Sequence, residues 1–226
     1  MSAWWTVAGL GLALGVQHAL DADHVVAVSA MAAETRSLRR SWILGLSWGL
    51  GHTVALMAAG LTLLAFRVTM PAALAFVFEY GVGAMLVLLG INVLRTVRAE
   101  RFHVHAHEHA DGARHLHWHA HVGNPSHHHA HRSFFVGLLH GLAGSAALAL
   151  LILASVPTFT QGFIFAAVFG VGSIVGMMAV SSAVAMPFML TKRFDAAHRT
   201  VKFAAGCLSI VMGVLLTAEL TATTLR

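Results

Sequence analysis

Six apolar stretches, each long enough to cross a bilayer, decide what this chain can become. A hydrocarbon core about 30 Å thick takes about 20 residues of helix. The chain offers such runs at about Trp4–Ala33, Ser41–Phe66, Pro71–Val97, Ser133–Val156, Gln161–Leu190 and Val201–Leu220. A water-soluble domain could not hide the side chains involved, because 58% of the 226 residues are hydrophobic and only 10% are charged. The sequence therefore predicts an all-α polytopic membrane protein of six transmembrane helices. Met1 is followed at once by apolar residues and the first basic residue is Arg36. Without a basic n-region, the first span reads as retained rather than as a cleaved signal. A lone cysteine, Cys207 in an apolar run, excludes a disulfide framework and reads as packing.

The connections orient the spans. Twelve of the 14 Lys and Arg residues fall in the first, third and fifth connections, whereas Arg67 and Arg226 belong to the other side. The positive-inside rule then puts both termini outside the cytoplasm, in a cytoplasmic (inner) membrane, and the long third connection inside it. A net charge of +5 spread in this way is a topology signal and excludes a nucleic-acid footprint.

The two halves of the chain resemble each other. Gly15-Val16-Gln17-His18-Ala19-Leu20 matches Gly137-Leu138-Leu139-His140-Gly141-Leu142, and Trp48-Gly49-Leu50-Gly51-His52 matches Phe169-Gly170-Val171-Gly172-Ser173. Gly83 and Gly90 match Gly206 and Gly213 in near-constant register. Three spans repeated once must run in opposite senses, which predicts a 3+3 inverted repeat with a binding site near the midplane. The predicted organisation is a first three-helix repeat over 1–98, a polar loop over 99–132 and a second repeat over 133–226.

One segment breaks the apolar pattern: His18-Ala19-Leu20-Asp21-Ala22-Asp23-His24. An aspartate at the centre of a spanning helix costs about 2.5–3.5 kcal/mol on insertion scales, so a partner must offset it. A divalent transition metal would do so. On an unbroken helix His18, Asp21 and His24 share one face and rise by about 9 Å, too far for one ion to touch both ends. Asp23 points away from that face unless the helix unwinds, as helices do at transporter midplanes. The repeat adds His52 in the second span and His140, which stands where His18 stands in the first half. Ser145 falls opposite Asp23, so the second copy lacks that carboxylate. The predicted metal-site residues are His18, Asp21 or Asp23, His24 and His52, with His140 nearby. Imidazole and carboxylate donors suit nickel, cobalt, zinc or copper over magnesium and calcium. Glu79, in the third span, suits either a proton relay or a polar pair near the outer face.

The loop is the second unusual feature. Twelve histidines fall between His103 and His131, mostly at every other position. With so little apolar surface the segment is expected to lack a fixed fold. Neutral imidazole, the form that binds metal, predominates near neutral pH, so the segment reads as a collector or buffer of metal ions.

These residues resemble a known family. His18-x-x-x-x-Asp23-His24 is similar to the H-x4-D-H signature of the nickel/cobalt transporter superfamily, and Leu50-Gly51-His52-Thr53 resembles its second motif. Gly137-Leu138-Leu139-His140-Gly141-Leu142-Ala143-Gly144-Ser145 resembles the short urease-accessory-like branch. The resemblance implies uptake of Ni2+ or Co2+, with His18, Asp23, His24 and His52 as metal-site positions. It also implies cytoplasmic partners, a metal chaperone or the maturation proteins of urease or hydrogenase. Uptake members of that superfamily are longer, with eight spans and cytoplasmic termini. A histidine-rich loop belongs to the efflux branch, which carries glycine where this chain has Asp23.

The sequence thus predicts a secondary transporter of nickel or cobalt, uptake favoured over efflux, with no cofactor beyond the ion it carries. No G-x-x-x-x-G-K-[ST] phosphate loop is present, so a gradient or a partner would supply the driving force. The competing classes are an intramembrane metalloenzyme, with Asp21 or Glu79 as base, and a membrane-anchored sensor or chaperone that works through the loop.

Overall fold

Among the described residues the chain forms seven helices and one hairpin: α1 (Ser2–His18), α2 (Ala22–Ala32), α3 (Leu38–Phe66), α4 (Ala72–Ala99), β1 (Val104–Glu108), β2 (Arg114–Trp118), α5 (His128–Ser155), α6 (Phe159–Thr191) and α7 (Asp195–Thr224). The structure is a computed structural model that describes residues 2–33, 35, 37–99, 104–108, 114–118, 128–155, 158–191 and 193–224. Among the described residues α3, α4, α6 and α7 are long and apolar enough to cross a membrane. The 29 residues of α3 alone extend about 43 Å.

Polarity is distributed as a bilayer requires. Leu88, Val77, Val171, Val175, Val211 and Leu215 face outward, whereas His24, His52, His140, Ser173, Ser181 and Ser209 are buried. In water this arrangement would expose a large apolar surface for no gain. It fits a multi-pass membrane protein.

The first apolar run is not one helix, contrary to the single span expected at Trp4–Ala33. It stops at His18 and restarts at Ala22. Through the break the amides of Leu20 and Asp21 donate to the carbonyls of Gln17 and His18, three residues back, at 2.9 and 3.1 Å. Asp21 then takes an extended ψ of 143°, and its carbonyl accepts the Val25 amide as α2 begins. Neither half covers a 30 Å core alone: α1 is about 26 Å long and α2 about 17 Å. The short half is enclosed by α3, α4, α6 and α7. Val26, Ala27, Val28, Ala30 and Ala32 are all buried, as befits a helix that is apolar on every side.

Three helix pairs carry most of the packing: α1 along α6, α5 along α3 and α4 along α7, with α3 and α6 meeting in the middle. Small residues set how closely they approach. A side chain at Gly15 would run into the Phe169 carbonyl, and one at Gly137 into the Trp48 carbonyl. Gly172 abuts the Leu12 carbonyl, as Gly51 abuts that of Phe134. Between α4 and α7, Gly83 faces Gly213 and Gly90 faces Gly206, and Ser209 donates to the Leu86 carbonyl at 2.7 Å. At the far end of α3, Arg67 takes a left-handed φ of 50° and closes the helix with bonds back to the Leu63 and Leu64 carbonyls.

The histidine-rich segment also departs from expectation. β1 and β2 pair antiparallel, with His105 opposite His117 and His107 opposite His115. The physical reason is periodicity: histidine at every other position repeats every two residues, as a strand does. His103, His109, His119, His121 and His127 lie outside the described residues.

Candidate metal centre

The break in the first run delivers two of the candidate residues. His18 ends α1, and its Nδ1–H donates to Asp21 Oδ2 at 2.7 Å. Asp21 occupies the N-cap position of α2 but makes no side-chain cap; its carboxylate serves His18 instead. Asp23 and His24 lie in the first turn of α2, where the positive end of the helix favours a carboxylate. The unwinding carries Asp23 inward. Its Oδ1 accepts from His24 Nδ1 at 3.0 Å and its Oδ2 accepts from His140 Nε2 at 2.9 Å.

Two other helices complete the cluster. His52 projects from the middle of α3, its Nε2 lying 3.1 Å from His18 Nε2. His140 projects from the middle of α5. Gly141 lies directly against the His52 carbonyl, and this close approach of α5 to α3 brings His140 within reach of Asp23. The rings of His18 and His24 are 4.6 Å apart, those of His24 and His140 4.2 Å, and those of His18 and His52 5.1 Å. Trp48 walls the cluster beside His24 and His140, and Phe169 packs against His18.

The hydrogen bonds assign the protons. A carboxylate only accepts, so in neutral imidazoles Nδ1 of His18, Nδ1 of His24 and Nε2 of His140 each carry the hydrogen. Lone pairs are left on His18 Nε2, His24 Nε2 and His140 Nδ1. His24 Nε2, His140 Nδ1 and His52 Nδ1 are buried without a hydrogen-bond partner among the described residues. Leaving such groups unmet is costly, and a metal ion is one means of satisfying a buried imidazole lone pair. The carboxylate-to-histidine bonds are those that usually orient ring ligands.

Two overlapping sets have donor atoms within 4.8 Å of one another: His18, His24 and His52, and Asp23, His24 and His140. Hydrogen bonding distinguishes them: in the second set the Asp23 oxygens already accept from His24 Nδ1 and His140 Nε2, and the distance available in the first set fits an ion. Two nitrogens at about 2.0–2.1 Å from an ion of zinc's size stand about 2.8–3.4 Å apart for angles between square and tetrahedral. The 3.1 Å between His18 Nε2 and His52 Nε2 falls inside that interval.

Over 205 residues, 91% of the chain, the sequence is 32% identical to the urease accessory protein UreH of Bacillus sp. (strain TB-90), and the match covers 87% of that protein. The chain belongs to the UreH family of urease accessory proteins. This is the urease-accessory-like branch of the nickel/cobalt transporter superfamily that the sequence motifs resemble. No family model matches the chain, and no solved structure matches it.

Within this UreH-family chain the expected residues are therefore placed as follows. His18, Asp23, His24, His52 and His140 come together in one cluster. Asp21 does not share a face with the histidines across the cluster: its side chain is 51% exposed, against 29% for Asp23, and it reaches only His18. Helix geometry favoured Asp21 because it assumed an unbroken helix. Glu79, in the first turns of α4, belongs to neither donor set. Sequence reasoning missed Trp48 and Phe169 as walls of the site. The spacing of Trp48, four residues before His52 and so on the same helix face, was the available signal.

Proposed function

We propose that this chain is a secondary transporter that carries Ni2+, and Co2+ with it, across the cytoplasmic membrane, with uptake the favoured direction. The observation that carries the reading is the cluster of buried imidazoles, aligned by two aspartates, at a helix break inside an apolar bundle. His18 Nε2, His24 Nε2 and His52 Nε2 bind the ion in this reading, with the hydrogen that His52 Nε2 shares with His18 moving to His52 Nδ1. Asp21 orients His18, and Asp23 orients both His24 and His140. Nitrogen donors of this kind suit nickel and cobalt and disfavour magnesium and calcium. The urease-accessory name of the relative supports nickel as the ion and urease maturation proteins as partners on the cytoplasmic side.

A 3+3 inverted repeat of six crossings, with both termini outside the cytoplasm, completes the proposal. It is supported by contacts that recur with the two halves exchanged. Gly15 on Phe169 answers Gly137 on Trp48, Gly172 on Leu12 answers Gly51 on Phe134, and α4 meets α7 through Gly83–Gly213 and Gly90–Gly206. A two-fold related pair of repeats would produce this pattern, with α1 and α2 together answering α5. In this reading the histidine tract collects metal on the cytoplasmic side.

An enzymatic role is disfavoured by the same geometry. A metal-bound water would need a free carboxylate base. Asp23 is engaged by two histidines, Asp21 by His18, and Glu79 stands outside both donor sets.

The test is movement of radiolabelled Ni2+ in liposomes holding the protein in a known orientation, for the intact chain and for His18→Ala, Asp23→Ala and His52→Ala. Flux in the intact chain that each change abolishes is the expected result, and its sidedness gives the direction. Tight Ni2+ binding without flux would refute transport.

A further inference from the structure

A hydroxyl inside an apolar bundle normally donates to a backbone carbonyl of its own helix or of a neighbour. Ser29 donates to the Val25 carbonyl at 2.7 Å, Ser182 to the Met178 carbonyl at 2.8 Å and Ser209 across to the Leu86 carbonyl. Ser173 and Ser181 of α6 do not follow this pattern. Both are fully buried, and their Oγ atoms have no hydrogen-bond partner among the described residues. The same is true of the Trp48 indole Nε1. Apart from ring nitrogens of the histidine cluster, these three are the buried side-chain polar atoms left without a partner among the described residues.

The three atoms follow one line. Ser173, Met177 and Ser181 recur at every fourth residue and so share one face of α6. Gly45, Trp48 and His52 share one face of α3 in the same way. The two helices run antiparallel. Thr53 donates to the Gly170 carbonyl at 3.3 Å, a side chain at Gly49 would meet Ile174, and one at Gly45 would meet the Ser181 hydroxyl. The seam therefore leads from the level of His52 to Gly45 and Ser181. One turn further stands the buried Ser41, whose Oγ lies 3.3 Å from Thr35 Oγ1. From His52 to Ser41 is about 16 Å of helix, about half of a hydrocarbon core. The line ends where α3 begins, on the basic side that the proposed topology puts in the cytoplasm. On the other side of the cluster, one turn beyond His52, Leu56 joins Leu64, Phe165, Ala166 and Phe169 in a buried apolar plug.

We infer that the ion leaves the histidine cluster along this seam between α3 and α6, with the hydroxyls of Ser173 and Ser181 taking the place of waters in its shell. The inference rests on the transport reading above and adds to it a route and the residues that serve it. Polar groups inside a membrane bundle mark ion paths because their cost needs a return. A hydroxyl oxygen offers lone pairs to a cation, and the Trp48 N–H can donate to a water that the ion keeps. Met177, fully buried between the two serines, is unbranched and flexible, so it can yield as the ion passes.

Ser173→Ala and Ser181→Ala, singly and together in the full chain, test the route. Neither hydroxyl has a hydrogen bond to lose, so the unfolding midpoint in detergent should not fall. Neither residue belongs to a donor set, so Ni2+ calorimetry should return the natural affinity. Ni2+ flux in liposomes should fall by about tenfold or more, the effect of losing one interaction with a charged group at the barrier. Ser181→Cys, placed in a Cys207→Ala chain, should react with a membrane-impermeant thiol reagent only from the side on which α3 begins. Natural flux in the double variant, or labelling from the other side or from neither, would overturn the route while leaving transport in place. A midpoint that falls in step with flux would make the hydroxyls structural and overturn it too. An intact chain that binds Ni2+ but moves none would overturn transport itself, and the route with it.

Discussion

Asp23→Asn separates an orienting carboxylate from a merely polar neighbour with little change of shape. The carboxylate accepts two ring hydrogens, from His24 Nδ1 at 3.0 Å and from His140 Nε2 at 2.9 Å. An amide offers one acceptor and one donor. One of the two histidines must then turn its lone pair toward Asn and its N–H toward the cluster. If that is His24, its Nε2 ceases to be a ligand; if it is His140, the buried Nδ1 acquires a hydrogen beside His24. Losing an outer-shell partner of a metal-ligating histidine costs about 10–100-fold in affinity, or about 1.4–2.8 kcal/mol at a factor of ten per 1.4 kcal/mol. Asp21→Asn disturbs one ring, at a half-exposed position where water can substitute, and should fall at or below the lower end of that interval. The assay is Ni2+ calorimetry on the purified full chain, paired with liposome flux. Natural affinity in the Asp23→Asn protein, or a larger loss from Asp21→Asn than from Asp23→Asn, would refute the assignment of roles.

Three further outcomes follow from the same geometry. Gly141→Ala forces a methyl into the His52 carbonyl and should lower the stability of the bundle by about 1–3 kcal/mol, the usual range for overpacking. Gly144→Ala meets nothing closer among the described residues than the His18 ring at 3.9 Å and should be tolerated; thermal unfolding in detergent compares the two. Flux should fall in acid once the cluster histidines take up protons, because metal needs the lone pair that a proton occupies. A pH-flux profile that rises toward acid would contradict imidazole ligation. Ser209→Ala deletes the 2.7 Å bond to the Leu86 carbonyl, which on membrane-protein averages is worth about 0.6 kcal/mol. It should shift the unfolding midpoint slightly and leave Ni2+ affinity unchanged.

What was legible in the sequence follows from the strength of each signal. Apolar length is a strong one, and the runs from Ser41 onward reappear as single helices with ends moved by a few residues. Charge and imidazole inside an apolar run are also strong, which is why His18, Asp23, His24, His52 and His140 could be named before any geometry was known. The choice between Asp21 and Asp23 could not be made from periodicity. It depends on whether the backbone holds its turn at Ala19–Asp21, and neighbouring helices settle that question. The hairpin was missed for a different reason. Low apolar content argued against a fold, while the two-residue period of the histidines argued for a strand, and only the first of these was weighed.

The interruption between α1 and α2 has a mechanical consequence. His18 belongs to a half-helix whose neighbour is α6, whereas His24 belongs to one held among α3, α4, α6 and α7. Their rings stand 4.6 Å apart across the gap. An ion ligated by both would therefore act as a clasp over a joint, tying the α1 arm to the body when it arrives and letting the arm swing free when it leaves. Cargo and latch would be one object, so the unladen and laden states would differ in stiffness at the place where a passage must open.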